Sequence, residues 1–205
     1  MKHLFPLFLV VIFIGCNGSG GPRNTVWMTR NLDVTTYRNG DPIPQVTDPE
    51  QWKNLTTGAW CYYNNNPANN ATYGKLYNWY AVNDPRGLAP AGYHIPTYAE
   101  FQNYCAETGG GLMKESGTTH WAAPNTGASD RLVWTGLPGG QRAMPSLKME
   151  FIDSANYGYW WSTSEGGPGT SSSVAYFKQL AFDNNYFQGS TVPKNSGLSV
   201  RCIEN

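Results

Sequence analysis

The chain of 205 residues carries 14 basic and 14 acidic side chains, a formal net charge of zero at pH 7. No cationic stripe gathers phosphate counterions, which argues against nucleic acid as a partner. Charged residues make up 14% and aromatic residues another 14%; that mixture belongs to loop-rich folds whose rings anchor irregular segments and equally to recognition surfaces, and both readings stay open.

At the start, Lys2 precedes an unbroken apolar run from Leu7 to Ile14, closed by Gly15 and Cys16. The run falls far short of the roughly 20 residues that span hydrocarbon, so residues 1–15 read as a signal peptide and not as a membrane anchor. Phe13-Ile14-Gly15-Cys16 looks like a bacterial lipobox, with Phe13 standing where Leu is usual. It implies thioether diacylation of Cys16, cleavage before it, and acylation of the new amino group. Several acyl chains on one residue anchor stably, since each buried methylene contributes about 0.8 kcal/mol. The alternative is an ordinary secreted protein with an incidental cysteine. Residues 16–25 hold the lipidated Cys16 and a tether of the Gly/Ser type, and residues 26–205 form one domain. Without Lys2 the mature chain has 13 basic against 14 acidic residues, a net charge of −1. The expected location is the bacterial envelope, at the outer membrane, facing the periplasm or the cell surface, with the membrane as a partner through the lipid.

Helical signals come first along the domain. Thr47-Asp48-Pro49-Glu50 offers a cap, a proline in the first turn and an early acid, predicting a short helix through about Leu55. Leu76, Trp79, Tyr80 and Ala81 at helical spacing predict a helix from Tyr73 to Val82, stopped by Asn83-Asp84-Pro85. Thr97-x-x-Glu100, directly after Pro96, is a capping box for a helix through Phe101, Tyr104 and Cys105 that ends at Gly109-Gly110-Gly111. Strand patterns follow at Leu132–Trp134, Leu147–Ile152, Gly158–Thr163, Val174–Phe182, Tyr186–Gln188 and Leu198–Ile203, with Asp183-Asn184-Asn185 as a hairpin turn. Loops rich in Gly, Ser and Pro cover 164–173 and 191–197. Helices first and short antiparallel strands later predict an α+β domain without internal repeats.

Six blocks stand in fixed order: Trp27–Leu32, Trp60–Asn65, Tyr73–Trp79, Gly92–Phe101, Tyr159–Ser164 and Ser199–Cys202. Together they resemble the Fibrobacter succinogenes major paralogous domain, a module of secreted and lipid-anchored bacterial proteins, over roughly Val26 to Ile203. The resemblance implies a C-type-lectin-like fold, shared at a distance with the formylglycine-generating enzymes, and no known ligand. It also implies a bridge between a cysteine of the first main helix and one of the final strand, positions held here by Cys105 and Cys202. A bridge closing so long a loop would contribute on the order of 4–5 kcal/mol. Ala89 stands where the family often has another cysteine, so the pairing stays open: Cys61 is then a buried thiol or the partner of Cys202.

The residues offer little for catalysis. The formylglycine-generating relatives work through a cysteine pair late in the chain; Arg201-Cys202 invites that comparison but has no second cysteine nearby. His94 and His120 come with no nucleophile elbow, and no catalytic residue is assigned. No Cys/His cluster has zinc spacing. For calcium, Asn64-Asn65-Asn66-Pro67, Val82-Asn83-Asp84 and Asp183-Asn184-Asn185 hold oxygen ligands, but turn and cap chemistry explains them as well, so the expectation is no cofactor and no metal site. For binding, Trp160 and Trp161 adjoin in a strand and must point to opposite faces, one into the core and the other outward, under a loop or exposed. With Tyr157, Tyr159, Asn184 and Tyr186, the outward ring would make an aromatic, amide-rich surface for a glycan or a protein segment. The expected function is therefore a non-catalytic envelope lipoprotein module for binding or surface architecture. The alternatives are an oxidase-like enzyme using Cys202 and a variable phage- or surface-receptor-type binding protein.

Overall fold

The computed structural model describes residues 25–167, 169 and 171–205. The signal segment, Cys16 and the tether as far as residue 24 lie outside them. Local capping sets the helices. Asp48 accepts the Gln51 amide at 2.7 Å and Pro49 opens α1 (Pro49–Lys53). After β1 (Trp60–Cys61) come α2 (Asn70–Tyr73), β2 (Leu76–Tyr77), α3 (Trp79–Val82) and β3 (Tyr93–His94). The capping box forms as read: Glu100 N–H donates to Thr97 Oγ1 at 3.2 Å, Thr97 N–H to Glu100 Oε2 at 2.7 Å, and α4 (Tyr98–Tyr104) follows. A 3-10 turn at Glu107–Leu112 replaces the further helical extension. The remaining elements are β4 (Gln141–Ala143), β5 (Glu150–Ile152), β6 (Tyr157–Glu165), β7 (Val174–Ala181), β8 (Gln188–Pro193) and β9 (Ile203–Glu204). Few helices and short antiparallel strands make this an α+β structure.

The largest sheet is β6-β7-β8, with Trp160 opposite Lys178, Trp161 opposite Phe177 and Gln179 opposite Gln188. At the other end of the chain β3 pairs with β9, Trp27 bridges Ile203, and the Glu204 amide donates to the Val26 carbonyl at 2.9 Å. The two ends of the domain are thereby clasped side by side. Three hydrophobic clusters fill the interior: one around Trp60, Tyr77, Trp79, Trp161 and Phe177; a second around Trp27, Phe101, Trp134, Trp160 and Phe187; and a smaller third around Trp52, Cys61, Leu76 and Met149.

Several expectations are corrected. The single helix over Tyr73–Val82 does not form. Gly74 has a φ of 70°, and a Cβ there would come within 2.8 Å of the Leu32 carbonyl. The chain then pairs as β2, with Tyr77 N–H donating to the Leu198 carbonyl at 2.9 Å, before Asn78 caps α3. Tertiary pairing overrides the local spacing. Leu132–Trp134 is no strand: Val133 sits at a φ of 51° in a turn closed by its amide on the Asp130 carbonyl, which drops Trp134 into the second cluster. Beyond Gln179 and Gln188 the β7–β8 connection opens into a wide loop instead of a tight hairpin, and β8 occupies 188–193, not 186–188. No disulfide is seen among the described cysteines. Cys202, Cys105 and Cys61 lie in the first, second and third clusters respectively, so each thiol is surrounded by its own set of apolar side chains and none is bridged.

Candidate functional site

Four of the six sequence blocks converge on one buried group. Asn31 Oδ1 accepts from Trp160 Nε1 at 2.8 Å and from Arg201 Nε and Nη2 at 3.1 and 2.7 Å. Its amide donates to the Tyr73 carbonyl at 2.9 Å and to Ser199 Oγ at 3.2 Å. Arg201 completes its set on the carbonyls of Met28 and Trp134, with the guanidinium 4.4 Å from the Trp134 ring centre. The Arg201 guanidinium thus makes four hydrogen bonds, as a buried charge requires partners. These motif residues tie the first segment, β6 and the last segment together; their task is architectural.

Several other buried cations are held by loop backbone or a carboxylate in a similar way. Arg142 donates to the Val46 and Thr47 carbonyls at 2.8 Å over the Trp52 ring. Lys114 donates to the carbonyls of Thr126, Ala181 and Asn184, each at 2.8 Å, beside Trp121. Lys75 reaches the Asp33 carbonyl and Asn70 Oδ1 beside Trp60, and Lys194 pairs with Glu165 beside Trp79. Each holds loop backbone or a partner carboxylate in place under an indole.

The expected ligand surface is not assembled. Trp160 and Trp161 do point to opposite faces of β6, but both are 0% exposed, because each face is covered by a different cluster. Neither can meet a ligand. Trp161 Nε1 donates to the Tyr77 carbonyl at 2.8 Å. Tyr159 is buried, its hydroxyl donating to Asp153 Oδ2 at 2.8 Å, and Tyr157 stacks on it with ring centres 5.8 Å apart. Asn184 organises the β7–β8 loop: its side-chain oxygen accepts the Tyr186 amide at 2.9 Å while its carbonyl serves Lys114. Of the six, Tyr186 alone stands well out, at 43% exposed.

The candidate catalytic groups have structural partners too. His94 sits between Asn205 Oδ1 at 2.8 Å and Glu100 Oε1 at 3.0 Å, securing β3, α4 and the C-terminus. His120 lies 2.9 Å from Glu115 Oε1. Burial pushes the Cys61 and Cys202 thiols up to about 12, the opposite of an activated nucleophile. Among the described residues, no group of three or more His, Cys, Asp or Glu side chains is placed to hold a metal ion. The Asn-rich segments serve turns: Asn66 Oδ1 accepts the Ala68 amide, and Asp84 Oδ1 accepts the Arg86 amide.

What the fold does build is a cleft of about 290 Å³ between α4 and the β7–β8 edge, lined by Tyr98, Gln102, Cys105, Glu107, Lys178 and Gly189. The capping box fixes where α4 begins, and positions 98, 102 and 105 then share one helical face. Tyr98 lies against Tyr176 with ring centres 4.7 Å apart, and Lys178 Nζ is 5.0 Å from the Tyr98 ring centre. Gly189, opposite Lys178 in the sheet, leaves the space the phenol needs: a Cβ there would overlap the Tyr98 hydroxyl. Burial lowers the Lys178 ammonium, opposed by the Glu107 carboxylate. The arrangement offers an aromatic ring, a cation, a carboxylate and an amide within one small cavity. Chemically it can grip a small polar molecule. Sequence reasoning did not read these residues as a binding cleft, although a lysine on an inward position of the apolar run Val174–Ala181 was a visible signal.

Among curated proteins and among solved structures, none matches this chain. The family model of the Fibrobacter succinogenes major domain matches residues 23–204. Nearly the whole described structure, including the buried Asn31–Trp160–Arg201 group, falls inside that match, and the chain belongs to the Fibrobacter succinogenes major domain family.

Proposed function

We propose that this protein is a non-catalytic module of the bacterial envelope, anchored through a lipid on Cys16 and folded in the C-type-lectin-like manner, that acts by binding. The observation that carries the reading is the division of labour among its polar side chains. Histidines, the Arg201 guanidinium and most buried lysines are occupied in holding loops, while the cleft by α4 gathers Tyr98, Gln102, Glu107 and Lys178. The oxidase-like alternative requires a reactive Cys202; burial and a thiol pushed up to about 12 favour the binding module instead.

The anchor has a direct test. Metabolic labelling with a fatty-acid analogue tags the wild type and not Cys16→Ala, and fractionation places the tagged protein in the membrane. Equal labelling of both, or recovery of the wild type in the soluble fraction alone, refutes the anchor. Display on the envelope exposes the domain to glycans and to other surface proteins, which gives a binding module its ligands.

A further inference from the structure

We infer that the cleft between α4 and the β7–β8 edge binds a sugar that carries a carboxylate, a uronic acid, with the carboxylate seated on Lys178; the inference rests on the binding-module reading above. An ammonium has three donors, and a buried charge is stable only when it is paired or fully hydrogen-bonded. The four buried lysines among the described residues differ in how they meet that demand. Lys114 spends three donors on three carbonyls, Lys194 pairs with Glu165, and Lys75 reaches a carbonyl and a side-chain amide oxygen. Lys178 is 4% exposed, yet its hydrogen bonding to the described residues consists of the Phe187 carbonyl at 3.0 Å. Its Nζ also lies 5.0 Å from the ring centres of Tyr98 and Phe187, weak partners for the remaining donors, and Lys178 lines the cleft. A ligand carboxylate is the group that completes them, through charge-assisted bonds.

The rest of the lining selects among anions. Glu107, exposed beside the cleft, repels a compact dianion such as phosphate but accepts hydrogen bonds from hydroxyls. Gln102 both donates and accepts, and Tyr98 adds a hydroxyl and the edge of a ring backed by Tyr176. One charged end and one hydroxyl-rich end are what this lining matches. A volume of about 290 Å³ lies at the lower end for small-molecule sites, the size of a single sugar ring.

The test titrates the full chain in detergent with D-galacturonate, D-galactose and inorganic phosphate, read by saturation-transfer NMR. Galacturonate is expected to bind with a Kd of about 1 mM, and galactose and phosphate at least about tenfold more weakly. Lys178→Met abolishes galacturonate binding. Should that variant fail to fold, Gln102→Ala carries the test, since its side chain is exposed: it weakens galacturonate several-fold at an unchanged Tm. Galactose binding as tightly as galacturonate overturns the role of the carboxylate. Phosphate binding as tightly overturns the sugar. Binding that survives all the folded variants overturns the cleft as the site. No galacturonate binding at all overturns the inference; the binding-module reading falls only if the folded protein also binds nothing on a glycan array.

Discussion

Replacing Asn31 by Leu, similar in size but without the amide, removes the acceptor shared by Trp160 Nε1 and two Arg201 nitrogens. It also removes the donor to the Tyr73 carbonyl and to Ser199 Oγ. A buried donor left unpaired costs about 1–3 kcal/mol, and stranding a buried ion costs about 3–5 kcal/mol. Arg201 keeps the Met28 and Trp134 carbonyls, so its share stays below the full ionic figure. The sum is about 4–6 kcal/mol, a large part of the 5–15 kcal/mol typical of a whole domain. For a chain of this length that lowers Tm by about 10–20 °C. Asn31→Asp keeps the acceptor and loses only the donor side, and is expected to cost about 1–2 kcal/mol. Differential scanning calorimetry on both variants, with guanidinium titrations for the free energies, decides the matter. A loss under about 1 kcal/mol for Asn31→Leu would refute the idea that this group organises the fold.

Trp160→Phe and Trp161→Phe each remove one buried indole hydrogen bond, and each is expected to cost about 1–3 kcal/mol without changing ligand binding; a binding defect at unchanged stability would return these residues to the site. Gly189→Ala crowds the Tyr98 hydroxyl and is expected to cost about 1–3 kcal/mol and to shift the Tyr98 ring resonances in NMR, with unchanged resonances counting against the described packing. Cys61 and Cys202 are held at about 12 in the folded chain against an ordinary 9.0. Both stay protonated in the native state above pH 9 while the unfolded chain ionises. Each therefore stabilises fully below pH 9 and loses about 1.4 kcal/mol per pH unit as the pH rises from 9 towards 12. Serine at either position flattens the fall of Tm between pH 9 and 11, and an unchanged slope contradicts the assignment. Thr97→Ala opens the capping box of α4 at a cost of about 1 kcal/mol, read from the same melts.

Sequence signals that act locally were legible. Asp48 and Thr97 cap the helices they announce, because a cap needs only residues three positions away. The alternation of Trp160 and Trp161 was equally readable, since it follows from strand geometry alone. Which face is open was not. Trp160 is covered by Trp134, brought over β6 by a loop with no periodic pattern, and Trp161 by the strand and helix around Tyr77 and Trp79. The helix expected over Tyr73–Val82 fails for the same reason: pairing of Tyr77 with Trp60 and Leu198 is invisible in the local spacing. The cleft was hidden because its wall joins α4 to β7 and β8, elements more than seventy residues apart in the chain.

The central claim is that the polar and sulfur chemistry of this protein serves its scaffold and leaves binding to the cleft. Thiol reactivity of the full-length Cys16→Ala chain, measured at neutral pH with a chromogenic disulfide reagent, tests it most directly. The buried, unbridged positions of Cys61, Cys105 and Cys202 predict no reaction in the native protein and three reactive thiols once denaturant is added. Rapid labelling of Cys202 in the folded chain, or a single reactive thiol after unfolding, contradicts the account.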